Sequence, residues 1–358
     1  MNRALLVGFW CCAGAFGAPS AKFDSDARRW LLRNEVMEAS FQLGPAGTFE
    51  FRGMHYLTAS QDWPAAKSVA SAPIRLTLDQ SSFDASTMYV LLKEWTSAAP
   101  CGGLRQNILL EESRGLGKVL VEIDLYSNLA VLRQGIRYFN TSGRAVHVTA
   151  ASPVHWDLHA AAASYRALRV EQWMPMPGPN PADFQRILSN VDPGGRVLQT
   201  ASGAHNHYCS WIAVNDASGQ GIALGWEFDG RMTVDLRHQA SEQTLQFSSR
   251  ISGLYHPVPA GEEFQVPRAF AALYAGGPDD AGFVTQRFTE EVLAKPLPPG
   301  MPFPAVIWDS WAYGQGIDEE TLRREAALAA KLGVEVFIVD LGWARALGDW
   351  TPDPVRHR

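Results

Sequence analysis

The sequence predicts a mainly β chain: a large two-sheet β-sandwich followed by the opening strand–helix–strand unit of a parallel-sheet domain. Three observations carry this. From about residue 34 to 292, short runs of alternating or apolar residues are separated by turn clusters, and there are too many runs for a single small sandwich. A stiff proline-rich stretch, Lys295-Pro296-Leu297-Pro298-Pro299-Gly300-Met301-Pro302, then breaks the pattern. After it come two short apolar runs, each ending in an acid and an indole, with a helix-forming segment between them.

The chain in order justifies each part. Arg3, the apolar run 4–17 and the small residues in Ala15-Phe16-Gly17-Ala18 read as a secretory signal peptide over 1–18. The run is too short for a membrane span, and no other stretch is long and apolar enough for one. The protein is therefore expected to be secreted or periplasmic, without a membrane partner. Phe9 and Trp10 are too bulky for lipoprotein processing at Cys11 or Cys12. Beyond the leader only Cys101 and Cys209 remain, and the sequence leaves open one disulfide or two free thiols.

The sandwich domain is placed over 25–292. Strands are expected at 74–78, 88–95, 119–125, 132–139, 146–150, 211–215, 222–228, 232–236 and 269–274. In 133–138, Ile136 and Tyr138 point one way and Arg133 and Arg137 the other, as on a sheet with one wet face. Residues 280–292 place Phe283, Phe288 and Val292 near helical spacing, so a helix should pack on the sandwich. His155 and His159 are four apart, which on a helix would suit a metal, but the text around them alternates like a strand. His205-Asn206-His207 reads as a polar loop. Asn140-Thr141-Ser142 matches a glycosylation acceptor and also reads as a hairpin turn. A formal net charge of −6 over 358 residues gives no electrostatic reason to bind nucleic acid. No cofactor or metal is expected.

A linker over 293–303 leads to the last segment, 304–358. Ala305-Val306-Ile307-Trp308-Asp309-Ser310-Trp311 is one apolar strand with an acid–indole tip, and Val336-Phe337-Ile338-Val339-Asp340-Leu341-Gly342-Trp343 is the second. Between them Asp318 fits a helix N-cap, with Glu319 and Glu320 in the positive first turn. Leu322, Ala326, Ala329 and Leu332 form an apolar face, and Gly333 fits a left-handed C-cap. A carboxylate at the end of a parallel strand stands where such sheets bind ligands. Beside an indole it suits a sugar, the acid accepting from hydroxyls and the ring covering C–H faces.

The segment 308–354, with Asp-Ser-Trp, Asp-Leu-Gly-Trp and Gly348-Asp349-Trp350-Thr351-Pro352-Asp353-Pro354, resembles the start of the (β/α)8 barrel of glycoside hydrolase family 36, the α-galactosidases and their relatives. The preceding region resembles the family's β-supersandwich, through 133–140, His155-Trp156-Asp157-Leu158-His159, 210–225 and 266–293. The resemblance implies a retaining glycosidase acting on terminal α-linked galactose or a related sugar. Trp311, Asp340 and Trp343 would hold the sugar, and Asp349 is a weaker candidate. Leu341 stands where the family has a second Asp. The family's catalytic aspartates come from later barrel strands, so no catalytic residue is placed on this chain. From Pro304 on, 55 residues remain, whereas such a barrel needs about 200 or more. The barrel is therefore expected to be incomplete, and the chain truncated and inactive alone, with apolar strand edges left exposed. Two other readings stand beside this one: a non-catalytic β-sandwich that binds carbohydrate or a partner, and an α-galactosyl transferase using the same site. The supersandwich also implies homo-oligomer contacts.

Overall fold

The structure, a computed structural model, describes residues 18–67, 71–171, 185–200, 208–228, 230–295, 300, 305–346 and 348–355. Residues 1–17 of the expected leader, the segment His205-Asn206-His207 and most of the proline-rich linker lie outside the described residues. The chain divides into two compact units, Met1–Leu293 and Ala294–Arg358.

The first unit is antiparallel β throughout its named sheets. Nine strands form the largest sheet, in the spatial order Gln185–Val191, Tyr165–Glu171, Trp211–Asn215, Gln220–Trp226, Glu263–Ala275, Val131–Phe139, Lys118–Leu125, Leu104–Glu112 and Tyr89–Ala98. A meander of five strands runs from Ser20 to Pro64, and two four-stranded sheets complete the unit. Apolar residues of all four sheets meet in one buried cluster, so the sandwich has one core although one layer is split into separate sheets. Aromatic rings bridge them: Phe51 stacks on Trp156 at 5.2 Å, and Phe83 meets Tyr138 edge-on at 6.0 Å.

The first sheet starts at Ser20, ahead of the expected boundary at residue 25. Its strands alternate as the period-2 rule requires: Trp30 and Leu32 are buried while Arg29 and Arg33 are exposed. Asn140 is fully buried, its carboxamide donating to the carbonyls of Arg144, Val258 and Pro259. That decides for the hairpin turn, because a buried amide spent on three carbonyls cannot carry a glycan. His155 and His159 lie on the strand His155–His159 with Trp156 and Leu158 facing the core between them. Cys101 and Cys209 are both free thiols.

The face read as wet is a half-buried ion network. Asp124 is 0% and Glu122 3% exposed, although both are acidic. Arg105 donates to Asp124 at 2.6 and 2.9 Å and to Glu122 at 2.9 Å; Arg268 donates to Glu122 at 2.6 Å. Arg133 forms a two-pronged bond with Glu227, both at 2.6 Å. Burial works against the Arg133 charge, but Glu227 outweighs it and raises the guanidinium above its ordinary value. The strand Glu263–Ala275 carries Pro267 in its interior, where a proline would remove a ladder hydrogen bond. The register slips by one residue there, between the pairs Gln134↔Ala269 and Ile136↔Val266, so Pro267 and Arg268 sit in a bulge. The bulge turns Arg268 to the outer face. Gly135 opposite leaves room for it: a Cβ there would lie 2.8 Å from the Arg268 Nη1.

The rest of that outer face is covered by helix α1 (Pro278–Phe288) and the π-helical turn Thr289–Leu293. Ala281, Thr285, Phe288 and Val292 point at the sheet, while Phe283 is 64% exposed. Phe283 therefore lies off the packing face expected from the sequence, because positions 281, 285, 288 and 292 keep one stripe and 283 falls on its opposite side. Phe270 packs against Phe288, with ring centroids 4.7 Å apart and planes inclined at 49°. The Phe270 and Tyr274 rings lie over Gly225 and Gly221, their cross-strand partners, where a Cβ would fall 2.1 Å from a ring carbon.

In the second unit, Ile307–Asp309 pairs in parallel with Val336–Ile338, and helix α2 (Glu319–Lys331) connects them. Asp318 caps α2 by accepting from the Thr321 N–H at 2.8 Å, and Gly333 follows the helix at φ +79°. Ala329 is buried and Leu322 and Ala326 half-buried, as the apolar face requires, but Leu332 is 73% exposed. It stands past the last helical residue, and Glu325 takes a place on the buried stripe instead. Trp308 and Phe337, paired across the two strands, stack at 4.2 Å. Val306 and Ile307 are each 55% exposed, in line with the expected open strand edges.

Two outcomes are expected. Gly225→Ala forces its methyl into Phe270, itself pinned by Phe288, and should lower stability by about 1–3 kcal/mol; urea unfolding checks this through a lower midpoint at unchanged slope. Asp157 is fully buried. Burial opposes its charge, yet His155, Gln246 and Arg75 outweigh that and hold the carboxyl below its ordinary 3.8. Its folded value is depressed, so its contribution is present above the unfolded value and lost as pH falls through the folded one. Asp157→Asn, though less stable at neutral pH, should lose stability less steeply than wild type from about pH 4 to pH 2 in urea midpoints.

Candidate functional site

The acid–indole rim of the second unit is built by local backbone chemistry. After Ile307–Asp309 the chain turns into a short 3-10 segment, Ser310–Gly316, capped by Asp309, whose carboxylate accepts from the Trp311 N–H at 2.8 Å. Ser310 is fully buried, and its hydroxyl accepts the Asp340 N–H at 2.8 Å. That bond ties the tip of the second strand to the tip of the first. Asp340 turns one carboxylate oxygen to the Leu341 N–H. Gly342 follows at φ +106°, in the left-handed region that glycine favours. It has no alternative on packing grounds either, since a Cβ would lie 2.7 Å from the Gln315 Cα and carbonyl oxygen.

Beyond Gly342 the chain makes a small hairpin. Ala344 bridges Pro352, the Asp353 N–H donates to the Trp343 carbonyl at 2.9 Å, and Asp349 accepts from the Thr351 N–H at 2.9 Å. The Thr351 hydrogen bonds hold the Asp349 carboxyl below its ordinary value. The hairpin brings Trp350 beside Trp343, with ring centroids 5.9 Å apart and planes inclined at 46°.

A cleft of about 310 Å³ opens along this hairpin, lined by Trp343, Asp349, Trp350, Leu341, Arg345 and Gln315 among others. The structure thus brings two of the four sequence candidates, Trp343 and Asp349, onto one cleft. Asp340 and Trp311 stand next to it at the strand tips but are not in its wall. Trp350, Arg345 and Gln315 were missed as site residues. Trp350 carried a signal, as the second indole of a Gly-Asp-Trp turn; Gln315 carried none, because only the fold of the 3-10 segment brings it under Gly342. Among the described residues, Asp340 leaves one oxygen without a hydrogen bond, which a ligand hydroxyl can fill. Chemically the cleft offers carboxylate acceptors, one guanidinium and two tilted indoles, a set that suits a polyhydroxylated ring. No group of three or more His, Cys, Asp or Glu side chains is placed to hold a metal among the described residues.

No family model matches the chain. A curated relative, "Probable alpha-galactosidase G" of Emericella nidulans, is 25% identical over 192 residues, covering 49% of this chain and 26% of that one. The GH36 α-galactosidase AgaB of Geobacillus stearothermophilus superposes with a TM-score of 0.73 at 16% identity, over 94% of this chain and 53% of that structure. The galactosidase domain of the α-galactosidase–sucrose kinase AgaSK gives 0.74 at 13% identity, over 94% and 54%. Two structures of the related AgaA, both variants, hold raffinose and stachyose. The chain therefore spans about half the length of these structures and about a quarter of the curated relative, and its fold is that of the N-terminal part of GH36 α-galactosidases.

Gly342→Ala is expected to break the tip of the second strand while leaving the first unit intact. Hydrogen exchange should show loss of protection confined to residues about 305–355, with no change in the sandwich.

Proposed function

We propose that the chain is the N-terminal part of an α-galactosidase-like retaining glycoside hydrolase, and that its second unit supplies part of the pocket for a terminal α-linked galactose or a related sugar. The observation that carries this reading is the tip 340–343: a strand-end carboxylate with an oxygen to spare, a glycine turn that admits no other residue, and an indole on the cleft. The likeness of fold to α-galactosidases over nearly the whole chain supports it, as does the sugar content of two of the similar structures.

In this reading Asp340 accepts from the sugar's hydroxyls, and Trp311 and Trp343 cover its C–H faces. Asp349 lies further along the hairpin and orients the turn. The retaining reaction needs a nucleophile and an acid/base with carboxyl groups about 5 Å apart. Neither role is assigned to a residue described here, since in the family that the chain resembles both aspartates come from later barrel strands. The leader over 1–18 fits export, which would bring the enzyme to extracellular or periplasmic glycans.

Galactose binding, followed by tryptophan fluorescence or calorimetry, tests this. A charged hydrogen bond is worth roughly 1.5–3 kcal/mol, so Asp340→Ala should weaken galactose at least about tenfold. With Leu341 in place of a second acid, the 4-epimer should bind within about tenfold of galactose. The chain alone should not turn over an aryl α-galactoside. Galactose binding indifferent to Asp340→Ala would remove the assignment of Asp340.

A further inference from the structure

A second cleft, of about 380 Å³, lies in the first unit where two four-stranded sheets meet. Arg75 enters it from just before the strand Leu76–Leu78, Asp84 from just after Ser81–Phe83, His155 and Ser248 from paired positions on adjacent strands, and Arg250 from two residues beyond Ser248. Three buried polar atoms converge on this corner without a hydrogen-bond partner: Arg75 Nε, His155 Nε2 and Asp157 Oδ2. The last two face each other at 3.3 Å, so His155 and Asp157 compensate one another. Asp157 and Asp84 attract Arg75 through space, but its buried Nε–H finds no acceptor. Among the described residues its guanidinium makes no hydrogen bond and no ion pair, although burial is strong enough to lower its proton affinity.

The nearby acids act on Arg75 only through space, and their hydrogen bonds go to other partners. Asp84 accepts from both the backbone and the hydroxyl of Ser86, at 2.8 and 2.6 Å. Asp157 accepts from Gln246 at 2.7 Å. Arg250 is exposed and unpaired among the described residues, and the Ser248 hydroxyl opposite His155 is likewise unengaged. A partly desolvated guanidinium whose buried N–H has no acceptor is costly unless something fills the cleft. Its planar fork matches two oxygens of one oxyanion. We propose that this cleft binds a compact oxyanion group, a carboxylate, sulfate or phosphate, held by Arg75 at its base, with Arg250 and Ser248 at its mouth. It is independent of the sugar cleft in the second unit.

Calorimetric titration with sodium sulfate, in buffer matched with chloride for ionic strength, tests it. Titration is preferred to melting, because sulfate stabilises folded proteins generally by exclusion from their surface. Saturable binding is expected in the wild type, weakened at least about tenfold in Arg75→Gln and less in Arg250→Gln, with Arg33→Gln unchanged as a control. Galactose 6-sulfate and galacturonate against neutral galactose form the second arm. Tighter binding of the charged sugars than of inorganic sulfate assigns the oxyanion to an acidic glycan, and equal binding assigns it to a free anion. If Arg75→Gln does not fold, Arg250→Gln and competition by phosphate in the wild type carry the test. No saturable sulfate binding, or binding indifferent to Arg75→Gln and Arg250→Gln, overturns the proposal.

Discussion

The strand Glu263–Ala275 has to serve two faces at once, and much of the first unit depends on how it does so. Successive side chains of a strand point to opposite faces. Val266, Ala271 and Leu273 therefore fill the common core, while Phe270, Ala272 and Tyr274 lie under helix α1. It pairs with Val131–Phe139 from Glu263 to Ala272 on one side and with Gln220–Trp226 from Ala269 to Ala275 on the other. Pro267 precedes the stretch that is paired on both sides, yet it still faces the ladder with Val131–Phe139, where a proline has no N–H to give. The bulge at Pro267 accommodates it, and in doing so it changes which side chain faces outward, delivering Arg268 to Glu122. Gly135, Gly221 and Gly225 are the complementary half of the same arrangement, each empty where a neighbour's long side chain lies.

The ion network that Arg268 joins is an uncommon way to cover a sheet. Burying two carboxylates such as Glu122 and Asp124 costs several kcal/mol per ion, and a single partner would not offset that. Here each of these acids meets more than one guanidinium nitrogen. The geometry makes the network cooperative: removing one arginine leaves a buried acid under-compensated. It also divides the outer face in two, with charge over the strands from 104 to 139 and an apolar patch under α1.

The second unit follows a different logic, in which the backbone places the chemistry. Its acids are set by short-range bonds to the N–H groups just after them, and its glycines by turns that require positive φ. The one longer tie, from the Asp340 N–H to the buried Ser310 hydroxyl, fixes the two strand tips to each other. The backbone bonds tie down the acids, while the indole of Trp350 is 84% exposed.

The sequence by itself determined the class of the fold, and it carried the acid–indole tip on which the proposed sugar site rests. Alternation at Arg133–Tyr138, turn clusters such as Asp216-Ala217-Ser218-Gly219 and the caps at Asp318 and Gly333 are local signals, and local hydrogen bonds and period-2 burial are what they report. The likeness to GH36 was legible in Asp-Leu-Gly-Trp and Gly-Asp-Trp because those residues sit in turns of fixed geometry. Other features were decided only by tertiary structure. That Arg133 and Arg137 belong to an ion network, that Phe283 faces away from the sheet, and that Asn140 is a buried hub rather than a glycan acceptor depend on partners distant in sequence, such as Glu227 and Val258. The Arg75 cleft has no sequence signature at all. Its residues come from four separate segments, and what marks it is a missing partner, which only an assembled interior can reveal.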